Sequence, residues 1–275
     1  MARVNGINSN TGDYENTVIG NDYLEIAQGN VEGHSIIHKF GQYNTVGTSF
    51  TPVARLGLYN TLKASEATTL RIKAGGHAND TAAGDGAREV TLEGIDETGA
   101  LCSETVATNG ASASTATTTT FIRLFRFYVS ASGTYATASA GSHAGLITIE
   151  NGAGGTDWGE ISFADFPRSQ SEIGAYTIPV GYTGYLISAY GFCDATKITD
   201  LIMFKREDIL GASAPYEAMR VVFEERSEGG AFTAEISAPI RLNSNSNGCD
   251  IGFMAKVSAQ SAEVEVDFEI ILIAD

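Results

Sequence analysis

The sequence predicts an all-β protein: two antiparallel β-sandwich domains of jelly-roll-like build behind an extended N-terminal arm. Three observations carry that expectation. Short segments alternate apolar and polar residues with a period of two, as a strand with one buried and one wet face requires. Turns rich in Gly, Ser, Thr and Asn separate them at spacings that suit sandwiches and jelly rolls. Helical periodicity is almost absent. The arm is expected over residues 1–30, the first domain over 31–160 and the second over 161–275.

Taken in order, residues 1–30 are polar, with Asn5, Asn8, Asn10, Asn16, Asn21 and Asn30 and little periodicity, as in an arm that either stays loose or orders by lying on a neighbour. VEGHSIIHKFG (Val31–Gly41) reads as a strand closed by Gly41. Phe50–Ile72 holds two apolar rows, Leu56 with Leu58 and Leu62, then Leu70 with Ile72, for two further strands. Gly75–Gly86 reads as a loop in which Asp80 and Asp85 are solvated. In GDGAREVTLEGIDETGALCSETV, Val90 and Leu92 alternate with Glu89, Thr91 and Glu93, and Glu97-Thr98-Gly99 turns the chain back. Residues 107–120 are small and Thr-rich, an edge strand or extended loop. FIRLFRFYV (Phe121–Val129) is apolar on both faces and reads as the central strand of the first domain. Asn151–Gly155 is a Gly-rich break, and FADFPRSQ a turn.

The second domain opens with AYTIPVGYTGYLISAYG, two strands about a Pro179-Val180-Gly181 turn, in which Pro fixes φ and Gly permits positive φ. ITDLIMFKR, MRVVFEER, Ala231–Ile236 and CDIGFMAKVS continue the series, with NSNSNG as a turn. The chain closes on EVEVDFEIILI. Here Val264, Val266, Phe268 and Ile270 alternate with Glu263, Glu265, Asp267 and Glu269, a buried face against an acidic, solvated one.

Bulk properties narrow the function. The 275 residues are enough for two ordinary β domains, and 43% hydrophobic content supplies a core. Charged residues make up 18%, below the ~25% usual in soluble domains. A neutral, hydroxylated surface of this kind suits virion and adhesion proteins. Seventeen bases face 33 acids, a net charge of −16, so nucleic acid, which is held by clustered Lys and Arg, is not an expected partner. Cys102, Cys193 and Cys249 are odd in number and widely spaced, which points to free thiols in a reducing cytoplasm rather than a disulfide framework. MARVNGINSNTGDY lacks the apolar core of a signal peptide. No run of about 18 apolar residues exists, and no membrane partner is expected.

Candidate chemistry is sparse. No GxSxG, HExxH, phosphate-loop or paired-Cys pattern occurs. His34 and His38 have the i,i+4 spacing that zinc sites use on helices, but the glycines around them favour a strand. Asp157/Glu160 and Glu224/Glu225 are carboxylate pairs with no further signal of a glycosidase dyad. No catalytic, metal or cofactor-binding residue is assigned, and the expectation is a non-enzyme. Tyr182, Tyr185 and Tyr190 are the residues to find exposed if a glycan is bound.

The strings VEGHSIIHKFG, GAREVTLEGIDETG, AYTIPVGYTGYL and DIGFMAKVS…VDFEIILI resemble, in this order, a family of virion structural proteins of marine tailed phages, cyanophages included. The resemblance runs from about residue 31 to the end. Tyr182 departs from it, standing where the family more often carries a basic residue. The resemblance implies a structural protein without catalytic residues, made in the host cytoplasm and resident in the virion. The expected role is a capsid decoration or cement protein that binds the head lattice as a homo-oligomer, a trimer by preference. The alternative is a tail fibre or knob protein that binds host-surface glycans. The expected partners are accordingly the major capsid protein or tail proteins.

Overall fold

The chain is all-β, and its sheets are antiparallel. The computed structural model describes residues 3–7, 14–18, 22–58, 67–135, 141–163, 168–194, 197–211, 217–234, 236, 238–242, 247–259 and 261–275. Residues 1–30 are not simply an extended arm. They contain a hairpin of β1 (Arg3–Ile7) and β2 (Tyr14–Val18) and a short helix, α1 (Asp22–Ala27). Five-residue strands interrupted by Asn and Gly carry too little alternation to stand out in sequence.

β3 (His34–Val46) and β4 (Thr51–Pro52) follow. Leu62 and residues 164–167 of the expected FADFPRSQ turn lie outside the described residues, as do residues 243–246 of NSNSNG. Next come β5 (Leu70–Ile72), β6 (Ala87–Ile95), β7 (Leu101–Ala107), β8 (Arg123–Ser132), β9 (Ile147–Asn151) and β10 (Asp157–Ile161). They form two three-stranded sheets, ordered β7-β6-β8 and β10-β9-β5. Leu70, Val90, Leu92, Leu124, Phe127 and Ile149 from both sheets meet in a first core. The β6–β7 turn forms where the sequence places it. Asp96 Oδ1 accepts from the Thr98 and Ala100 amides at 2.8 and 3.0 Å, and Gly99 adopts φ +83.

The Thr-rich stretch completes this part of the molecule. Ser114 and Thr117 donate their amides to the carbonyls of Ile72 and Leu70, and their hydroxyls accept from the amides of the same two residues. Short hydroxylated side chains thereby satisfy the open edge of β5, which an apolar segment would leave half unpaired. Asp80 also departs from expectation. It is 4% exposed, and its carboxylate accepts from the amides of Ala87, Ala144 and Gly145 at 2.8–3.0 Å, so it ties two loops together.

The later strands are β11 (Ala175–Ile178), β12 (Tyr182–Cys193), β13 (Thr199–Glu207), β14 (Arg220–Ser227), β15 (Gly230–Thr233), β16 (Ile240–Arg241), β17 (Cys249–Val257) and β18 (Ala262–Ala274). They build two larger sheets, β11-β17-β13-β14 and β15-β12-β18-β3, with β4 beside β17 and β16 beside β12. A second core fills with Leu186, Met203, Phe253, Val266, Phe268 and Ile270. β3 pairs with β18 from His34 opposite Ile273 to Val46 opposite Ala262. β3 and β4, expected with residues 31–160, therefore belong to the sheets of the later strands. β12 occupies one edge of β18, and β3 satisfies the other while adding Val46 to the second core. The strands from β5 to β10 are inserted between β4 and β11.

β8 is not the central strand of its sheet, a place held by β6. It is buried on both faces nonetheless. Glu93 stands opposite Arg126 and Gly94 opposite Leu124, so Phe125 is an extra, bulged residue that breaks the alternation. Leu124 and Phe127 enter the first core, whereas Phe125 packs on Tyr176 of the second, ring centroids 4.6 Å apart.

Arg123, 0% exposed, crosses the same seam. Its Nε and Nη2 donate to the two oxygens of Asp250 at 2.8 and 2.9 Å, and its Nη1 donates to the Ile122 carbonyl. Thr177 Oγ1 and Arg206 Nη2 also donate to Asp250, at 2.9 and 3.2 Å. Nearby, Gly41 lies so close to Gly174 that a Cβ on Gly41 would stand 2.1 Å from the Gly174 nitrogen.

Asp250→Asn should cost about 3–5 kcal/mol, because it strands the buried Arg123 beside Arg206; urea unfolding measures it, and adding Arg123→Met should recover part of the loss. Gly41→Ala should be at least as damaging, since backbone atoms cannot yield to the new methyl group, and soluble yield with thermal midpoint checks this.

Candidate functional site

Several clefts border β3, and two of them gather aromatic and titratable side chains. The first lies on the outer face of the β15-β12-β18-β3 sheet. Pairing aligns side chains there in rows: Tyr190 opposite Asp267 opposite Phe40, then Phe192 opposite Glu265 opposite Gln42. Period-two alternation sends these residues outward while Ala189, Val264, Val266 and Phe268 face the core. Arg168 and Glu172 stand beside the rows and enclose a groove of about 430 Å³.

Tyr190 and Phe192 are 47% and 40% exposed, whereas Gln42 is 5% exposed and fully engaged. Gln42 Nε2 donates to Glu263 and Glu265, the latter at 2.8 Å, and its Oε1 accepts from Arg55 and Arg168. Arg168 also donates to Glu172 at 2.7 Å. Burial and the neighbouring Glu263 hold the Glu265 carboxyl above its usual range. His38 Nε2 contacts both oxygens of Asp267 at 2.8 and 2.9 Å. The groove thus has an acidic floor fixed by hydrogen bonds and an aromatic rim on β12.

The second cleft, about 480 Å³, runs along the seam between the cores and is lined by Ile37, Lys39, Cys102, Phe125, Arg126 and Tyr176 among others. Lys39 is 6% exposed and donates from Nζ to the Phe125 carbonyl at 2.6 Å. Burial, reinforced by Arg126 and only partly offset by Glu93, lowers its ammonium to about 7. Burial and nearby acids push the Cys102 thiol up to about 12, so it stays protonated and weakly nucleophilic at neutral pH. Burial likewise raises the Cys249 thiol to about 12 and raises that of Cys193. All three cysteines are free.

The remaining candidates resolve into structural roles. His34 and His38 lie on a strand, and His34 Nδ1 contacts the Glu32 carbonyl at 2.9 Å. Among the described residues, no three His, Cys, Asp or Glu side chains gather as metal ligands would. Asp157 pairs with Lys73 at 2.7 Å. Glu160, its carboxyl raised by burial, accepts from Thr148 at 3.1 Å. Glu224 and Glu225 are successive residues of β14 and point to opposite faces. His143 is buried between Ser142 Oγ, 2.9 Å from Nδ1, and the Ser162 carbonyl, 3.1 Å from Nε2. Of the three tyrosines singled out, Tyr190 is exposed and Tyr182 and Tyr185 are half-buried.

Sequence reasoning picked out Tyr190, Glu265 and Asp267 one at a time and missed Phe40, Gln42, Arg168 and Phe192 as their companions. The signal was the outward parity of Phe40, Phe192 and Asp267 on three strands. Reading it requires the register between strands far apart in the chain.

No family model and no curated protein matches the chain. Among solved structures it is similar to VP2 of infectious bursal disease virus. The VP2 subviral particle gives a TM-score of 0.16 at 10% identity, over 88% of this chain and 77% of that one. The structure of the Gx strain of that virus gives 0.13 at 11% identity, over 88% and 72%. Likeness at these scores carries no argument about fold or function.

Lys39 makes a signed prediction. Unfolded, it keeps its proton to about 10.5, whereas folded it loses it near 7. The unfolded chain binds more protons between those values, so this group's contribution makes stability rise with pH across that window and leaves it lowest below 7. Lys39→Met should therefore be more stable than the parent below pH 7 by roughly 1–3 kcal/mol, the shift being discounted for the lost bond to Phe125. The advantage should shrink as pH rises towards 10, which paired urea titrations at acidic and alkaline pH would show.

Proposed function

We propose that the protein is a non-enzymatic structural subunit of a tailed-phage virion, a capsid decoration protein that binds the head lattice as a homo-oligomer, with a trimer favoured. In this reading each core belongs to a jelly-roll-like sandwich, and the N-terminal segment reaches a neighbouring copy. The carrying observation is apolar surface left outside both cores. Tyr23 and Leu24 on α1 are 46% and 51% exposed. Met219 and Val221, just before and within β14, are 45% and 57% exposed. β14 ends its sheet among the described residues, so its outer edge can accept a strand from a second copy. The family-like strings also support the reading, since they lie on β3, β6, β11–β12, β17 and β18, the framework of both cores.

Sedimentation of the purified chain tests the assembly. A discrete oligomer is expected, and Leu24→Lys combined with Val221→Lys should shift it to monomer without loss of β structure. A parent chain that is monomeric and also fails to bind heads stripped of decoration would overturn the reading. Copy number in intact particles separates the alternatives: hundreds of copies spread over the head mark decoration, and a single ring at one vertex marks the tail.

A further inference from the structure

We infer that the outer-face groove of the β15-β12-β18-β3 sheet is a carbohydrate site that takes a neutral pyranose unit of an oligosaccharide, its apolar face on Tyr190 and Phe192 and its hydroxyls on Glu265 and Asp267. The inference does not depend on the oligomeric reading, because every residue it uses lies in one chain.

Sugar recognition asks for two things at once, a flat apolar surface for the C–H face of the ring and fixed acceptors for the hydroxyls around its edge. The groove supplies both. Tyr190 and Phe192 are i and i+2 on one strand face, so their rings stand side by side, about 7 Å apart along the strand. Each has a carboxylate directly across on β18, Asp267 beside Tyr190 and Glu265 beside Phe192, with cross-strand Cβ atoms about 5 Å apart. A ring seated on either aromatic side chain therefore presents an edge to a carboxylate.

The acceptors are held in place before any ligand arrives. Gln42 Nε2 donates to Glu265 and fixes it, and Gln42 Oε1 is itself gripped by Arg55 and Arg168. His38 fixes Asp267. Fixed acceptors reduce the entropy lost on binding. Large exposed aromatics beside a concave polar floor are costly on a surface that binds nothing, and they are the form recognition sites take.

Charge selects the class of sugar. Arg168 is engaged with Glu172, so the floor presents Glu265 and Asp267 towards the ligand, with Arg168 and the buried Arg55 as the cations nearest Glu265 and the His38 ring against Asp267. Sialic acids, uronates and sulfated sugars would bring a second anion to these carboxylates. Neutral hexoses and N-acetylhexosamines bring hydroxyl donors instead, which carboxylates accept strongly.

The experiment is ligand-observed NMR, followed by calorimetry, on the full chain. The probes are maltotriose, cellotriose, galactotriose, mannotriose and N,N′,N″-triacetylchitotriose, with oligosialic acid and trigalacturonate as anionic counterparts. At least one neutral trisaccharide should bind at millimolar concentration or below, and neither anionic probe should bind more tightly. Tyr190→Ala and Phe192→Ala should each weaken binding by about tenfold, the loss of roughly 1.4 kcal/mol, with an unchanged thermal midpoint, as suits exposed residues. Glu265→Gln should weaken the neutral ligand and narrow its advantage over trigalacturonate. No binding of any neutral probe, binding that survives Tyr190→Ala and Phe192→Ala, or a preference for the anionic probes would each overturn the inference. So would dissociation of an oligomer by Tyr190→Ala with no sugar bound by the parent, since the aromatic rim would then be a contact between copies.

Discussion

The ion pair between Arg123 and Asp250 is the contact on which the arrangement of the two cores depends. Arg123 opens the strand that borders the first core, and Asp250 lies in a strand at the heart of the second. A buried ion pair gains little over apolar packing unless its remaining hydrogen-bonding capacity is met. Here Thr177, Arg206 and the Ile122 carbonyl meet much of it. A fully desolvated, two-pronged contact also tolerates little sliding or rotation, so it specifies how the halves meet as well as holding them together. Phe125 on Tyr176 and Lys39 on the Phe125 carbonyl stitch the same seam.

The bulge at Phe125 makes that seam possible. A regular strand would send one set of residues to the first core and leave the alternate set facing solvent. The extra residue lets neighbouring apolar side chains serve two cores from one strand. The β3 strand acts similarly on the other side: its inner parity brings Ile37 and Tyr43 to the second core, while its outer parity supplies Phe40 and Gln42 to the groove. The groove is therefore a by-product of register, assembled from three strands that the chain makes far apart in time.

Much of the strand inventory was legible because alternation is a local signal. The β6–β7 hairpin has it, with its Asp96–Gly99 turn, and so does β18, where every second residue from Val264 to Leu272 is buried. What stayed hidden was non-local. Nothing in His34–Val46 announces that its partner lies at the other end of the chain, so the strand was placed with its sequence neighbours. The Thr-rich stretch reads as an edge strand or extended loop, and its pairing with β5 is hidden because hydroxyls and amides make it. Asp80 looked solvated because glycines surround it, yet three amides converge on its carboxylate. The groove failed to appear for the same reason as the β3 pairing: parity within each strand could be read, but alignment between strands could not.

The β3–β18 pairing also has a consequence for how the protein is made. β3 is synthesised roughly 200 residues before its partner β18, so it must stay unpaired while the intervening strands are made. At elongation rates of ~5–20 residues per second this wait is on the order of ten seconds or more. The inserted strands need no such delay and can collapse on their own first core. Biogenesis should therefore run from the inside outward, with β3 waiting in an aggregation-prone state until β18 arrives to close it.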